Sequence, residues 1–164
     1  MNVCFELCKK TKNDCTKEEF KASFYQHKHH SRISMYTDGS KSRNGSGAGI
    51  VVETKCNNHV NFNTYKIKLN PLASIFSAEL VAIESAINSV KQNKNTSVTI
   101  YSDSKSALQA ILKYDSKNPI IQNIHILLLM LHKNNTNILF CWIPAHCDIK
   151  GNELADKAEK SNKI

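Results

Sequence analysis

The order of the apolar segments limits this 164-residue chain to a small group of folds. Three strand-like segments come first, with short polar turns between them: ISMY (33–36), GAGIVVET (47–54) and HVNFNTYKIKL (59–69). Helical patterns at 74–92, 104–114, 119–132 and 151–160 then alternate with strand-like segments SVTIYSD (97–103) and TNILFCWIP (136–144). This order predicts an α/β fold with a five-stranded mixed sheet. An antiparallel meander is followed by parallel strands, and helices flank the sheet.

Size and charge narrow the class of partner. The length suits one domain with a core. The net charge of +8 favours a polyanion such as nucleic acid, although a generic solvated surface gives the same charge. The longest apolar run, IHILLLML (124–131), is far shorter than the roughly 20 residues of a membrane span. No apolar secretion signal opens the chain, so we expect reduced cysteines and an intracellular protein, cytoplasmic or nuclear.

Residues 1–30 differ in composition from the rest of the chain. They are rich in Lys, Asn, Cys and His and lack sustained periodicity. We predict a weakly ordered N-terminal extension there, with a short helix around TKEEFKASFY, and one folded domain over residues 31–164.

Three carboxylates fall at positions where they are costly or exposed to a cleft. Asp38 and Asp103 are each predicted to end a strand, where α/β folds place functional side chains. Glu79 follows the apolar stripe of the first long helix, where an ionised carboxylate needs a partner or a metal. A turn at Asp38, a helix cap at Asp103 and a salt bridge at Glu79 are the alternatives. Together, oxygen-only ligands in a basic protein suggest Mg²⁺ or Mn²⁺ and phosphodiester chemistry.

Four motifs together carry a resemblance to a known family. YTDGS (36–40), SAELVAIESAI (77–87), YSDSKSALQAI (101–111) and WIPAHCDIKGNELADKAEK (142–160) resemble type 1 ribonuclease H, in order, over about residues 32–160. The ending is most similar to the ribonuclease H domains of non-LTR retrotransposons. The resemblance implies a ribonuclease H-like fold over 31–164. It also implies an endonuclease that hydrolyses the RNA strand of RNA–DNA hybrids, with two Mg²⁺ ions that Mn²⁺ can replace, leaving 5′-phosphate and 3′-hydroxyl ends.

The same resemblance assigns roles to individual residues. Asp38, Glu79, Asp103 and Asp156 fall on the four catalytic, metal-binding carboxylates, and His146 falls on a loop histidine linked to proton transfer or product departure. Periodicity alone would leave Asp156 as a surface aspartate. The positions expected to contact substrate are Gly39, Ser40, Asn44, Ser74, Ser77 and Lys105. Turn formation before Gly45 is the alternative role for Asn44.

Partners and competing interpretations follow from the same motifs. We expect an RNA–DNA hybrid as partner, fusion to or descent from a reverse transcriptase, a monomeric domain and no membrane. The alternatives are a catalytically decayed or domesticated nucleic-acid-binding domain, another nuclease of the same superfold, and a non-enzymatic module that binds through residues 1–30. The four intact carboxylates argue against decay, and the T-D-G-S and G-N-E-x-A-D motifs argue against another nuclease.

Overall fold

A computed structural model describes residues 2–4, 16–28 and 30–160. Within them the chain forms one mixed sheet with helices on both faces. The strands are β1 (Asn2–Cys4), β2 (Ile33–Ser42), β3 (Gly45–Cys56), β4 (His59–Leu69), β5 (Ser97–Ser102) and β6 (Asn137–Trp142). The helices are α1 (Lys17–His27), α2 (Ile75–Ser89), α3 (Lys105–Ile111), α4 (Pro119–Lys133) and α5 (Lys150–Lys160).

The sheet confirms the predicted architecture and adds a strand. Its order is β1-β6-β5-β2-β3-β4. β2, β3 and β4 form the antiparallel meander, while β5 pairs in parallel with both β2 and β6. The five predicted strands are therefore present in the expected arrangement. The short strand β1, which falls in the predicted extension, pairs in parallel with β6 at the sheet edge.

The first hairpin is longer than the sequence suggested. We expected the first strand to end at Asp38 and the stretch 39–47 to form a turn, but β2 continues to Ser42 and only residues 43–44 turn. The polar residues 39–42 pair with β3 alone, because the parallel pairing of β2 with β5 stops at Thr37. Asp38 therefore lies inside a strand, just past the point where that parallel pairing ends.

Side-chain caps fix where the helices begin. The Ser74 hydroxyl accepts a hydrogen bond from the Ser77 amide at the start of α2, and Ser104 does the same for Ala107 in α3. Asn118 caps α4, and Pro119 fills its first turn, where no amide donor is needed. The cap of α3 is thus Ser104, and the alternative role of Asp103 as that cap is wrong.

Two apolar layers hold the helices to the sheet. On one face α2, α3 and α4 bury a core that includes Met35, Leu80, Ile83, Leu108, Ile124 and Phe140. On the other face α1 and α5 pack around Phe20, Phe24, Tyr36, Tyr101, Ile149 and Ala155. The helix predicted within the extension is thus present as α1, and its two phenylalanines are core residues. No helix in residues 16–28 or 30–160 has the length and apolar character of a membrane span.

Candidate active site

Three carboxylates from distant parts of the chain meet at one end of the sheet. Asp38 comes from β2, Glu79 from α2, and Asp103 directly follows β5. One ligand oxygen from each lies within 4.8 Å of those from the other two. Asp38 and Glu79 are only 7% and 8% exposed, so their charges are held largely out of water. Such an assembly of negative charge is unfavourable unless cations or protons offset it.

A glycine allows the helix carboxylate to reach the strand carboxylate. A Cβ atom on Gly39 would lie 2.6 Å from the Ala78 carbonyl carbon and 2.8 Å from the Glu79 Cα. These are backbone atoms, which cannot move aside as a flexible side chain does. α2 can therefore cross β2 this closely only because Gly39 has no side chain, and this approach brings Glu79 beside Asp38.

Asp103 is held by contacts on its side chain and its backbone. Asn152 of α5 donates a hydrogen bond through Nδ2 to Asp103 Oδ2 at 3.4 Å, and Trp142 Nε1 donates to the Asp103 carbonyl oxygen at 3.1 Å. Burial raises the pKa of Asp103 above its usual range. The Asn152 hydrogen bond and nearby His146 oppose that rise in pKa, whereas the Asp156 carboxylate adds to it.

The two remaining predicted catalytic residues lie beside the cluster and outside its closest group. Asp156 of α5 is not among the three converging carboxylates, and its Oδ1 is ion-paired with Lys160 one helical turn away. Both Asp156 and His146 are near enough to influence the pKa of Asp103. The structure therefore brings three of the four predicted carboxylates together and leaves the fourth at their margin.

The loop that carries His146 is anchored on both sides of the exposed imidazole. Ile143, Cys147 and Ile149 are buried in the core beneath α5, whereas His146 is exposed. His146 and Asp148 both have left-handed backbone angles, with φ of 55° and 57°. Such angles are uncommon for residues other than glycine, and here the buried neighbours hold the loop in that shape. The result is a histidine projecting from a fixed base.

Some of the predicted substrate-contacting residues already make local hydrogen bonds, whereas others are exposed. The hydroxyls of Ser74 and Ser77 are 2.9 Å apart, and Ser74 caps α2, so both already have a local role. Asn44 is exposed in the β2–β3 turn.

Other members of the predicted set stand closer to the carboxylates. Gly39 is buried against α2, and Ser40 follows it on β2, half-buried. Lys105 opens α3 next to Asp103, and its amine lies 5.4 Å from the centroid of the Trp142 ring, as in a cation–π contact.

Sequence reasoning missed Asn152 as a functional residue. Its side chain is 3% exposed and contacts Asp103. It stands four residues before Asp156, so both lie on one face of α5, and that spacing was the available signal. Gly151 also lets α5 approach the sheet, because a Cβ there would overlap the Tyr36 ring.

The donor set fits a hard divalent cation. Asp38, Glu79 and Asp103 provide carboxylate oxygens, the ligands preferred by Mg²⁺ and Mn²⁺. The buried Asn152 Oδ1 finds no hydrogen-bond partner within the described residues, so an acceptor is left for a donor such as metal-bound water. An acidic, oxygen-only centre at the end of a mixed sheet is the kind of site that metal-dependent hydrolases use.

Comparison with known proteins identifies the family. The RNase H model matches residues 30–163. The Pol polyprotein of equine infectious anemia virus (strain Wyoming) is 32% identical over 137 residues, which cover 79% of this chain and 10% of that polyprotein. The Pol polyprotein of isolate 1369 is 31% identical over the same length. The chain belongs to the RNase H family.

Solved structures agree with this fold. A foamy viral protease–reverse transcriptase in complex with dsDNA is 25% identical with a TM-score of 0.63, and the match covers 80% of this chain and 94% of that one. RNase H1 from Halobacterium salinarum NRC-1 is 16% identical with a TM-score of 0.60, covering 79% and 96% respectively, and shares the fold. The chain spans only 10% of the Pol polyproteins that it matches.

Proposed function

We propose that this protein is an endonuclease that hydrolyses the RNA strand of RNA–DNA hybrids by a two-metal-ion mechanism. The products are a 5′-phosphate and a 3′-hydroxyl end. The observation that carries the proposal is the convergence of Asp38, Glu79 and Asp103 within 4.8 Å in a chain of the RNase H family.

The cluster supports a division of roles among its residues. Asp38, Glu79 and Asp103, together with Asp156 at their margin, would hold two Mg²⁺ ions. When bound, the ions supply Lewis-acid activation of water and stabilise charge on the leaving oxygen. Asn152 keeps the Asp103 carboxylate oriented and lowers its pKa toward the ionised form that binds metal.

Proton movement is assigned to the exposed loop. The His146 imidazole, fixed by its buried neighbours, would carry a proton away from the reacting groups or assist product departure. An imidazole suits that role because its ring nitrogens can both accept and donate a proton. No covalent protein nucleophile is required, which fits a site built of carboxylates.

Recognition of the hybrid depends on positions around the cluster. The amides of Gly39 and Ser40 and the Lys105 amine are candidates for phosphate contacts, and Asn44 is a candidate for contact with the bases or sugars. The hydroxyls of Ser74 and Ser77 flank Glu79, on the side proposed for the RNA strand and its 2′-hydroxyls.

The origin and setting of the domain also belong to the proposal. The W-I-P-x-H and G-N-E-x-A-D ending supports kinship with non-LTR retrotransposon domains, and the matched viral proteins support fusion to a reverse transcriptase. We infer a monomeric RNase H domain over residues 31–164, with α1 packed against it through Phe20 and Phe24, that acts inside the cell, in the cytoplasm or the nucleus. The free thiol of Cys56 fits a reducing compartment.

A labelled-hybrid assay tests the proposal. Wild-type protein should cut the RNA strand of an RNA–DNA duplex in Mg²⁺ or Mn²⁺ and leave the DNA strand and an all-DNA duplex intact. Asp38→Asn should be nearly inactive, whereas Asp115→Asn, an exposed carboxylate between α3 and α4, should match wild type. Hybrid RNA left intact by the folded wild type in both metals would refute the enzyme. Tight binding without cleavage would instead identify a catalytically decayed domain.

A further inference from the structure

A basic pocket lies on the α5 face of the sheet, away from the carboxylates. It encloses about 340 Å³ between α1, the far end of the β3–β4 hairpin and the start of α5. This volume is at the lower end of ligand pockets. The lining residues that matter most are Tyr25, Lys28, Glu53, Lys55, Phe62 and Lys150. The proposed catalytic chemistry uses none of them.

One of the pocket lysines is neutralised and two are not. Lys28 Nζ contacts both carboxylate oxygens of Glu53, at 2.6 and 2.5 Å, and burial lowers its pKa. Neither of the two ion pairs found among residues 16–28 and 30–160 involves Lys55 or Lys150. The pocket therefore presents two exposed amines beside an internally balanced pair, and its net charge is positive.

Local contacts hold the start of α5 at the pocket. The Lys150 amine lies 4.8 Å from the Phe62 ring centroid, and the Lys150 amide donates a hydrogen bond to the Tyr25 hydroxyl at 3.3 Å. A cation–π contact restrains the position of an amine and leaves its N–H donors available to an anion. Lys150 is thus positioned at the pocket, and neither ion pair found among the described residues involves it.

Further lysines connect the pocket to the carboxylates. On β4, Phe62 pairs with Glu53, Lys66 with Gly49, and Lys68 with Gly47. Because alternate residues share a face, Lys66 and Lys68 lie on the same face of the sheet as the pocket.

The same register gives the separation of the pocket from the cluster. Asp38 pairs with Gly49, and Ser34 pairs with Glu53. Four residues of strand, at about 3.3 Å each, place the pocket ~13 Å from the carboxylates. Lys150 and Lys157 follow helical spacing along α5, so they border the other side of this route.

We propose that this lysine-bordered surface, from the pocket to the carboxylate cluster, binds the phosphate backbone of a nucleic-acid strand that extends beyond the cleaved position. The inference rests on the proposed function, because the bound strand is part of the same RNA–DNA hybrid, beyond the position that is cleaved. Amines neutralise phosphates and release counterions, which favours a polyanion with regularly spaced charges. At about 3.4 Å per nucleotide, the pocket is reached about four nucleotides from the cleaved phosphate.

The test compares two hybrids and two double variants. Lys55→Ala/Lys150→Ala removes both exposed pocket amines. Lys117→Ala/Lys133→Ala removes two exposed lysines near the ends of α4, on the other face, as the matched control. The short hybrid ends about three nucleotides from the single cleaved phosphate, and the long hybrid extends about twelve on both sides.

The expected result is selective for flank length. The pocket variant should raise KM for the long hybrid about tenfold, leave kcat unchanged, and reduce the salt slope of binding by about 2. For the short hybrid, the KM of the pocket variant should equal that of wild type. The control variant should have the wild-type KM for both hybrids. An unchanged KM for the long hybrid, or equal losses on both hybrids, would overturn the inference.

A separate binding measurement distinguishes failure of this inference from failure of the proposed function. Anisotropy with labelled long hybrid is measured in an Asp38→Asn background, so it needs no cleavage. Weaker binding of the pocket variant supports the surface even if wild type never cuts. If poly-glutamate of matched charge competes as well as the hybrid does, the surface is selective for acidic polypeptide and the nucleic-acid assignment is wrong.

Discussion

Replacing Gly39 with alanine tests whether the close approach of α2 builds the site. Gly39 has no left-handed φ, so alanine suits its backbone and would ordinarily stabilise the protein by about 0.4–1 kcal/mol. Here the new methyl group meets the backbone of Ala78 and Glu79, and overpacking of this kind costs about 1–3 kcal/mol. The midpoints of these two ranges leave a net loss of about 1.3 kcal/mol in the free energy of unfolding.

The assay reads stability and activity together. Gly39→Ala should lower Tm by about 3–6 °C, while Lys41→Ala, an exposed change in the same strand, should leave it within about 1 °C. Because Glu79 moves with α2, a displacement near 1 Å should also reduce cleavage about 100-fold and raise the Mg²⁺ concentration required. A rise in Tm would show that α2 does not contact Gly39 as described and would refute the argument.

Variants at three further positions test other parts of the molecule. Phe24→Ala should lower the free energy of unfolding, measured in urea, by about 3–5 kcal/mol because the ring is fully buried, and Phe24→Leu should lower it by much less. A negligible loss in Phe24→Ala would mean that α1 does not pack on the sheet. Asp103→Asn should raise the Tm of metal-free protein progressively from acid to neutral pH, since the raised pKa of Asp103 means that wild type loses stability as this group ionises; a constant Tm difference would contradict that pKa. Asn152→Ala should move the acid limb of the pH–rate profile to higher pH with little change in KM, because the Asn152 hydrogen bond lowers the pKa of Asp103. An acid limb at the wild-type pH would show that Asn152 does not position Asp103.

Periodicity predicted the elements well because most segments satisfy local and tertiary preferences together. The apolar spacing of α2 and α4 and the short runs of β5 and β6 were sufficient to place them within a few residues. The hairpin beyond Asp38 was missed because its residues are polar and pair with β3 alone, leaving no alternating burial pattern.

The packing of α1 depended on information that local sequence does not carry. Phe20 and Phe24 have helical spacing, but the lysine- and asparagine-rich context suggested an extension. Only the docking of α1 against Tyr101, with the Phe24 and Tyr101 rings 5.4 Å apart, makes these residues part of a core. Tertiary contact therefore decided an element whose own composition was ambiguous.

Sequence patterns indicated some residues of the candidate site and not others. Burial of a charge against an apolar stripe indicated Glu79, and the ends of predicted strands indicated Asp38 and Asp103. Asp156 could be found only through the family resemblance, because its helix face is polar and its carboxylate pairs with Lys160. That Gly39 holds two elements in contact was invisible in the sequence, since the relevant partner is a backbone forty residues away.

Calorimetric titration of Mn²⁺ into the folded protein tests directly whether the carboxylate cluster binds metal. Wild type and Asp115→Asn should bind Mn²⁺ alike, whereas Asp38→Asn, which removes one of three converging carboxylates, should bind it at least about tenfold more weakly. Equal Mn²⁺ affinity in wild type and Asp38→Asn would show that the carboxylate cluster is not the metal site, and would contradict the mechanism built on it.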